Sequence, residues 1–137
     1  MSYVAHATAI AGRNGHVETA DGLIKADLTV PKEIGGPGKP GATNPEMLFA
    51  AGYAACFGGA IAAAAGAERV RPDQVKVTAD VTIDKNDTGF FLAVTLNCKI
   101  DGVERAEAER FVKKAHEEIC PYSKATRNNV DVKLVVQ

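Results

Sequence analysis

The chain has 137 residues, of which 46% are hydrophobic and 24% charged, and its formal net charge is −1. That length and composition suit one globular domain with a core of its own, spanning residues 1–137, and the near-neutral balance gives no electrostatic case for nucleic acid or an anionic membrane surface. The opening MSYVAHATAIAGRNG lacks a basic stretch ahead of an apolar one, so we expect no signal peptide and a cytoplasmic location. Three cysteines without C-x-x-C spacing fit neither a secreted disulfide framework nor a four-cysteine zinc site.

In chain order, residues 3–10 read as a strand that turns at Ala11-Gly12-Arg13-Asn14-Gly15, where Asn-Gly is a hairpin signal because both residues tolerate positive φ. Residues 16–19 and 24–30 come next as strands joined at Asp21-Gly22. In the second of these, Ile24, Ala26, Leu28 and Val30 alternate with polar residues, so one face is expected to be buried. Residues 31–43, PKEIGGPGKPGAT, suit neither helix nor strand and predict a loop long enough to have a use, such as covering the segment after it.

That segment, residues 44–65, is NPEMLFAAGYAACFGGAIAAAA. Asn44 can cap a helix and Pro45 loses no hydrogen bond at its first position. The remainder of the segment has no polar face, which predicts a buried helix with Cys56 near its middle. Its apolar run, about residues 50–65, is too short to span a bilayer, which takes roughly 20 residues.

Residues 75–84 alternate as a half-buried strand, and residues 90–100 place Phe90, Leu92, Val94, Leu96, Cys98 and Ile100 on one parity. Cys98 therefore reads as a core thiol. Residues 103–119 predict one amphipathic helix stopped by Pro121, with Cys120 at its edge and a further short turn or helix over 120–126. Residues 130–136 close the chain as a strand. Strands come as hairpins with helices segregated between them, which is α+β.

Three kinds of chemistry are open on these residues. A redox role for Cys56 needs a thiolate, and a buried thiolate needs a cation, because desolvation alone favours the thiol. The turns ahead of the helix offer Arg13, Lys32 and Lys39. Arginine suits best because it stays charged and its fork can hold a carboxylate as well, for which Glu46 is the natural candidate. Arginine at a turn is ordinarily a plain surface charge, and an acid in a first helical turn ordinarily serves the helix dipole. Second, His116 lies four residues before Cys120 and could make a Cys–His nucleophile pair. Third, His6 and His16 have no ligand-like neighbours in sequence, so metal binding ranks low.

The run PKEIGGPGKPGATNPEMLFAAGYAACF, together with CPYSKAT, resembles the organic hydroperoxide resistance (Ohr) branch of the OsmC-like family, over essentially the whole chain. CPYS favours that branch over OsmC proper. Met47 stands where the family usually has glutamine, and the loop just before Asn44 differs slightly, but neither change removes a reactive group. The resemblance implies an α+β OsmC-like fold, with antiparallel sheets around a buried central helix, in an intertwined homodimer. It also implies a peroxidatic Cys56, a resolving Cys120, Arg13 as the cation beside the thiolate and Glu46 as the acid holding Arg13. No bound cofactor is implied. The substrate would be an organic hydroperoxide and the reductant an external dithiol, dihydrolipoamide or a lipoylated protein. Ile34, Phe49, Phe57 and Tyr122 would form an apolar wall for an alkyl or fatty-acid chain. Geometry adds a condition: ten residues of straight helix set Glu46 and Cys56 about 15 Å apart along the axis. Either the helix breaks near Gly52 or a second subunit supplies part of the site.

Overall fold

A computed structural model describes residues 1–137. The chain divides into two compact units, Met1–Leu48 and Phe49–Gln137, and its mixed α+β character is the one expected from the strand and helix order.

The first unit is built on a three-stranded antiparallel sheet of β1 (Ala7–Ile10), β2 (His16–Thr19) and β3 (Lys25–Asp27) in that order. A single 3-10 turn, Gly12–Asn14, joins β1 to β2 and carries Arg13. The left-handed residues are Ala11 (φ 62°) and Gly12 (φ 60°), not the Asn14-Gly15 pair that the hairpin signal suggested. Gly15 is needed for another reason: a Cβ there would lie 1.7 Å from the Ile10 carbonyl oxygen. Asn14 instead turns its side chain to accept the Val30 N–H at 2.9 Å.

β1 and β3 are both shorter than their sequence patterns. β1 is exposed throughout, and the buried face expected of residues 24–30 is reached only at Leu28 and Thr29. After Asp27 the chain leaves the β2 pairing and bridges Leu28 to Thr43 in parallel. The Thr29 N–H then bonds the Thr43 carbonyl and the Thr43 N–H bonds the Asp27 carbonyl, each at 2.9 Å. Residues 31–43 are thereby folded back on their own stem rather than strung out as a linker. They hold a short 3-10 turn, Lys32–Ile34, and the Lys39 N–H reaches Thr29 Oγ1 at 3.0 Å.

Helix α1 (Pro45–Ala67) opens as its sequence dictates, with the Met47 N–H bonded to Asn44 Oδ1 at 2.8 Å. It runs two residues past the expected end and is unbroken at Gly52, so the helix break is excluded. Its 23 residues are by length and composition alone enough to cross a membrane, a test that the core helix of a globular protein also passes. Burial is confined to one face. Tyr53, Phe57, Ala60, Ile61, Ala64 and Ala65 are buried, whereas Ala51, Ala55, Gly59, Ala62 and Ala63 are exposed. The two faces differ in side-chain size rather than polarity, which a reading by polarity could not separate.

In the second unit, β4 (Gln74–Asn86) and β5 (Gly89–Asp101) form a long antiparallel ladder with Val77 opposite Cys98 and Val81 opposite Val94. β6 (Asp131–Val136) joins β5 in parallel, Leu96 opposite Leu134. The sheet is thus not built from hairpins alone: the helical segment between β5 and β6 is a crossover, which a parallel pairing requires. That segment starts with α2 (Arg105–Lys114), whose Ala108, Phe111 and Val112 are buried. The single helix expected over 103–119 gives way at Ala115–Ile119 to a π-helical turn, closed by the Cys120 N–H on the Ala115 carbonyl at 2.8 Å. α3 (Pro121–Thr126) completes the crossover, with Cys120 as its cap and Pro121 at its first position. The core of this unit is Tyr53, Phe57 and Ile61 of α1 against Val94, Leu96, Cys98 and Ile100 of β5 and Phe111 and Val112 of α2. Burying a large side chain of this kind contributes about 1.5–3 kcal/mol.

Candidate active site

In the first unit, the Arg13 guanidinium grips the Glu46 carboxylate with both arms, Nη1 to Oε2 at 3.0 Å and Nη2 to Oε1 at 2.7 Å. Glu46 is nearly buried, whereas the Arg13 side chain is 42% exposed. The Arg13 hydrogen bonds hold the Glu46 carboxyl below its ordinary value of 4.5, and Glu46 raises the guanidinium in return. The fork geometry fixes the arginine plane, so one edge is committed to Glu46 and the exposed remainder keeps its charge for another anion. Ala11, held at φ 62°, is part of what presents it. A non-glycine residue there costs about 1–2 kcal/mol.

In the second unit, α1 supplies Cys56 and the cap of α3 supplies Cys120. Their sulphurs stand 3.5 Å apart, the Cys120 thiol directed at Cys56 Sγ. Both cysteines are free; Cys120 is buried and Cys56 partly exposed. One amide of α3 addresses the pair directly: the Ser123 N–H donates to Cys120 Sγ at 3.4 Å. Burial pushes the Cys56 thiol up, and the neighbouring Cys120 adds to that, while the Tyr122 amide pulls it down. Within its own unit Cys56 is therefore a thiol in want of a cation. Cys98 is a different case. It is wholly buried on β5 and pushed up to about 11 by burial, the inert core thiol its strand parity predicted.

The alternative His116–Cys120 pair does not form. His116 sits in the π-helical turn, which breaks the four-residue repeat that would have stacked it on Cys120. Its Nδ1 lies 2.8 Å from Ser123 Oγ instead. Desolvation lowers its pKa, with Arg127 acting in the same direction. Ser123 Oγ in turn lies 2.8 Å from the Tyr53 hydroxyl, which is 3.0 Å from Thr126 Oγ1. Tyr53, Ser123 and Thr126 do not stand out as functional in the sequence, although two signals are present. A tyrosine in an otherwise apolar helix must find a partner for its hydroxyl when buried. The serine and threonine of CPYSKAT are spaced three apart, on one helical face.

Of the residues expected to form an apolar wall, Phe49 and Tyr122 lie together, their ring centroids 6.3 Å apart. Tyr53, which is fully buried and part of the core, packs against both and makes an edge contact with Phe57 at 6.2 Å. Phe57, however, is fully buried and belongs to the core rather than to an accessible wall. Ile34 belongs to the first unit. Gly52 is where Tyr122 approaches α1: a Cβ there would stand 2.9 Å from the tyrosine hydroxyl.

A family model described as OsmC-like protein matches residues 36–135. The chain belongs to the OsmC-like family. It is 46% identical over 135 residues to an organic hydroperoxide resistance protein of Xanthomonas axonopodis pv. citri, covering 98% of this chain and 94% of the relative. With the organic hydroperoxide resistance protein OhrA of Bacillus subtilis the identity is again 46%, over 98% of this chain and 95% of the relative. The crystal structure of an organic hydroperoxide resistance protein OsmC from Legionella pneumophila superposes with a TM-score of 0.92. The two share 52% identity, over 100% of this chain and 98% of that one. Within the OsmC-like family the chain falls in the Ohr branch, as CPYS suggested.

Proposed function

We propose that this protein is a cysteine peroxidase that reduces organic hydroperoxides to alcohols and so defends against oxidative stress. The observation that carries the reading is the Cys56–Cys120 pair, two free thiols 3.5 Å apart with one of them partly exposed. Relatives at 46% identity that are named for organic hydroperoxide resistance support the substrate class.

In the first step the Cys56 thiolate attacks the hydroperoxide. An S–O bond forms, the O–O bond breaks, and the alkoxide leaves with a proton as the alcohol, giving a Cys56 sulfenic acid. The Cys120 sulphur then attacks Cys56 Sγ. The S–S bond forms, and the hydroxide lost from the sulfenic acid takes the thiol proton to leave as water. An external dithiol, dihydrolipoamide or a lipoylated protein, reduces the disulfide by exchange and becomes a disulfide itself. No bound cofactor enters the cycle.

Arg13 supplies the cation that the desolvated Cys56 thiolate needs, and it stabilises negative charge on the departing oxygen. Glu46 holds it for both tasks. The small exposed residues of α1, Ala51, Ala55, Gly59, Ala62 and Ala63, support a homodimer in which a second copy covers that face. Because α1 is unbroken and sets Glu46 about 15 Å from Cys56 along its axis, this reading has Arg13 serve the cysteine of the other chain. The same reading makes the protein soluble and cytoplasmic.

Lipoamide-coupled turnover of cumene hydroperoxide against hydrogen peroxide tests it. A clear preference for the organic substrate is expected. Equal rates with the two oxidants would remove the organic-peroxide claim, and absence of turnover with either would remove the peroxidase.

A further inference from the structure

The Cys120 side of the pair is held by a chain of four polar side chains whose proton order can be worked out. Each hydroxyl has one proton to give. Thr126 Oγ1 gives its proton to the Ser123 carbonyl at 3.2 Å, since a carbonyl can only accept. Thr126 is then the acceptor in its contact with Tyr53, so the Tyr53 O–H donates to it. With the Tyr53 proton spent, the Ser123 O–H must donate to the Tyr53 oxygen. Ser123 can therefore only accept from His116, whose Nδ1 must carry the proton. One direction satisfies all four contacts: His116 to Ser123 to Tyr53 to Thr126 to the Ser123 carbonyl.

Every polar atom of Ser123 is engaged. Its carbonyl also accepts the Arg127 N–H at 2.8 Å, and its own N–H is the donor on Cys120 Sγ. The residue is fully buried, as is Tyr53, and Thr126 is nearly so. Because Tyr53 lies three residues before Cys56 on α1, the chain ties the helix that carries one sulphur to the turn that carries the other. His116 anchors the far end from the π-helical turn, whose closing bond is made by the Cys120 N–H itself. Neither the attack on peroxide nor the Arg13–Glu46 pair calls on any of the four side chains.

We propose that His116, Ser123, Tyr53 and Thr126 are positioning residues for the resolving step, a relay of hydrogen bonds that holds Cys120 Sγ within reach of Cys56 Sγ. The proposal rests on the peroxidase reading for its biological use but not for its geometry. Disulfide formation needs the sulphurs to close from 3.5 Å to about 2.05 Å, so a Cys120 already on target converts a loop closure across 64 residues into a local movement. A Cys56 sulfenic acid that waits for a wandering Cys120 is exposed to a second peroxide and to irreversible oxidation to the sulfinic acid. His116 acts at the head of the chain through one N–H, and any side chain that places a donor there should replace it. Asparagine does so with its side-chain amide.

The test compares wild type with His116→Ala, Ser123→Ala, Tyr53→Phe and His116→Asn in the full-length reduced protein. Stoichiometric cumene hydroperoxide is added, the sulfenic acid is trapped with dimedone over time, and sulfinic acid is measured after excess peroxide. The first three variants should lengthen the sulfenic-acid lifetime about tenfold and raise the sulfinic fraction, with the rate of Cys56 oxidation within about twofold of wild type. His116→Asn should return both readings to near wild type. A merely structural role would lower both steps together and would not distinguish asparagine from alanine; either result overturns the proposal. So does an unchanged lifetime in well-folded His116→Ala and Ser123→Ala.

A second measurement is independent of peroxide: the Cys56–Cys120 dithiol is equilibrated with glutathione redox buffer. Loss of the relay should make the disulfide about tenfold less favourable, which is about 30 mV for this two-electron couple, and His116→Asn should restore it. If wild type fails to react with peroxide, the peroxidase reading falls and this equilibrium still decides the positioning claim, an unchanged value overturning it.

Discussion

The two units handle reactive groups in opposite ways. In Met1–Leu48 the charge proposed to serve the site stays near water: the Arg13 side chain is 42% exposed, carried on a strained turn of a sheet whose first strand is exposed throughout. In Phe49–Gln137 the reactive atoms are drawn into a packed interior, where Cys120 is buried and the neighbouring hydroxyls have every proton assigned. A guanidinium keeps its charge under any of these conditions and needs only to be aimed, which one carboxylate does. A thiol must be brought to a defined distance from another thiol, and only packing with directional hydrogen bonds fixes that.

Variants can break this contrast, and the largest effect belongs to the sulphurs. Cys56→Ser should bring peroxide consumption to background with little change in melting temperature, measured by lipoamide-coupled assay; unchanged turnover would remove Cys56 from the chemistry. Next comes packing. Phe57→Ala, at a fully buried position, should cost about 3–5 kcal/mol in urea unfolding. Arg13→Ala should separate activity from stability: a loss of about 100-fold in turnover against less than about 1 kcal/mol, because half-exposed ion pairs are worth little. Arg13→Lys should recover little, having charge without the fork.

The pH dependence is set by Glu46, whose folded-state pKa lies below its ordinary value of 4.5. A carboxyl lowered by folding binds fewer protons in the native state, so its contribution to stability is present above 4.5 and is lost as pH falls through the lowered value. The stability contributed by the Arg13–Glu46 pair should therefore hold down to about pH 4.5. A stability difference between wild type and Glu46→Gln that is already lost near pH 6, read by urea unfolding across pH, would contradict the pairing. The smallest effect is expected at Ala11→Gly, which relieves a left-handed alanine but frees the unfolded chain. The net gain should stay below about 1 kcal/mol, measured by chemical unfolding.

Much of this molecule is legible in its residues. Asn44 and Pro45 mark the start of α1, the alternation of 75–84 and 90–100 marks β4 and β5, and Arg13, Glu46, Cys56 and Cys120 stand out together once the NPEMLFAAGYAACF and CPYS runs are compared with a family. The π-helical turn is not legible, because Ala115–Ile119 carries the same apolar spacing as the α-helix before it, and only the backbone shows that Cys120 bonds back five residues. That one change of register moves His116 from Cys120 to Ser123 and turns a candidate nucleophile pair into a hydrogen-bond relay. The half-buried state of α1 is hidden for a related reason: alanine and glycine are equally compatible with a core and with a surface, and composition does not say which. The parallel pairing of β6 with β5 is a property of topology, set by where the crossover returns the chain.

The most direct test of the central claim is a map of the disulfide after one equivalent of cumene hydroperoxide, by proteolysis and mass spectrometry of the unreduced protein. A Cys56–Cys120 bond with Cys98 left as a free thiol is the predicted result. A bond involving Cys98, or two free thiols at Cys56 and Cys120 after the peroxide is consumed, would contradict it.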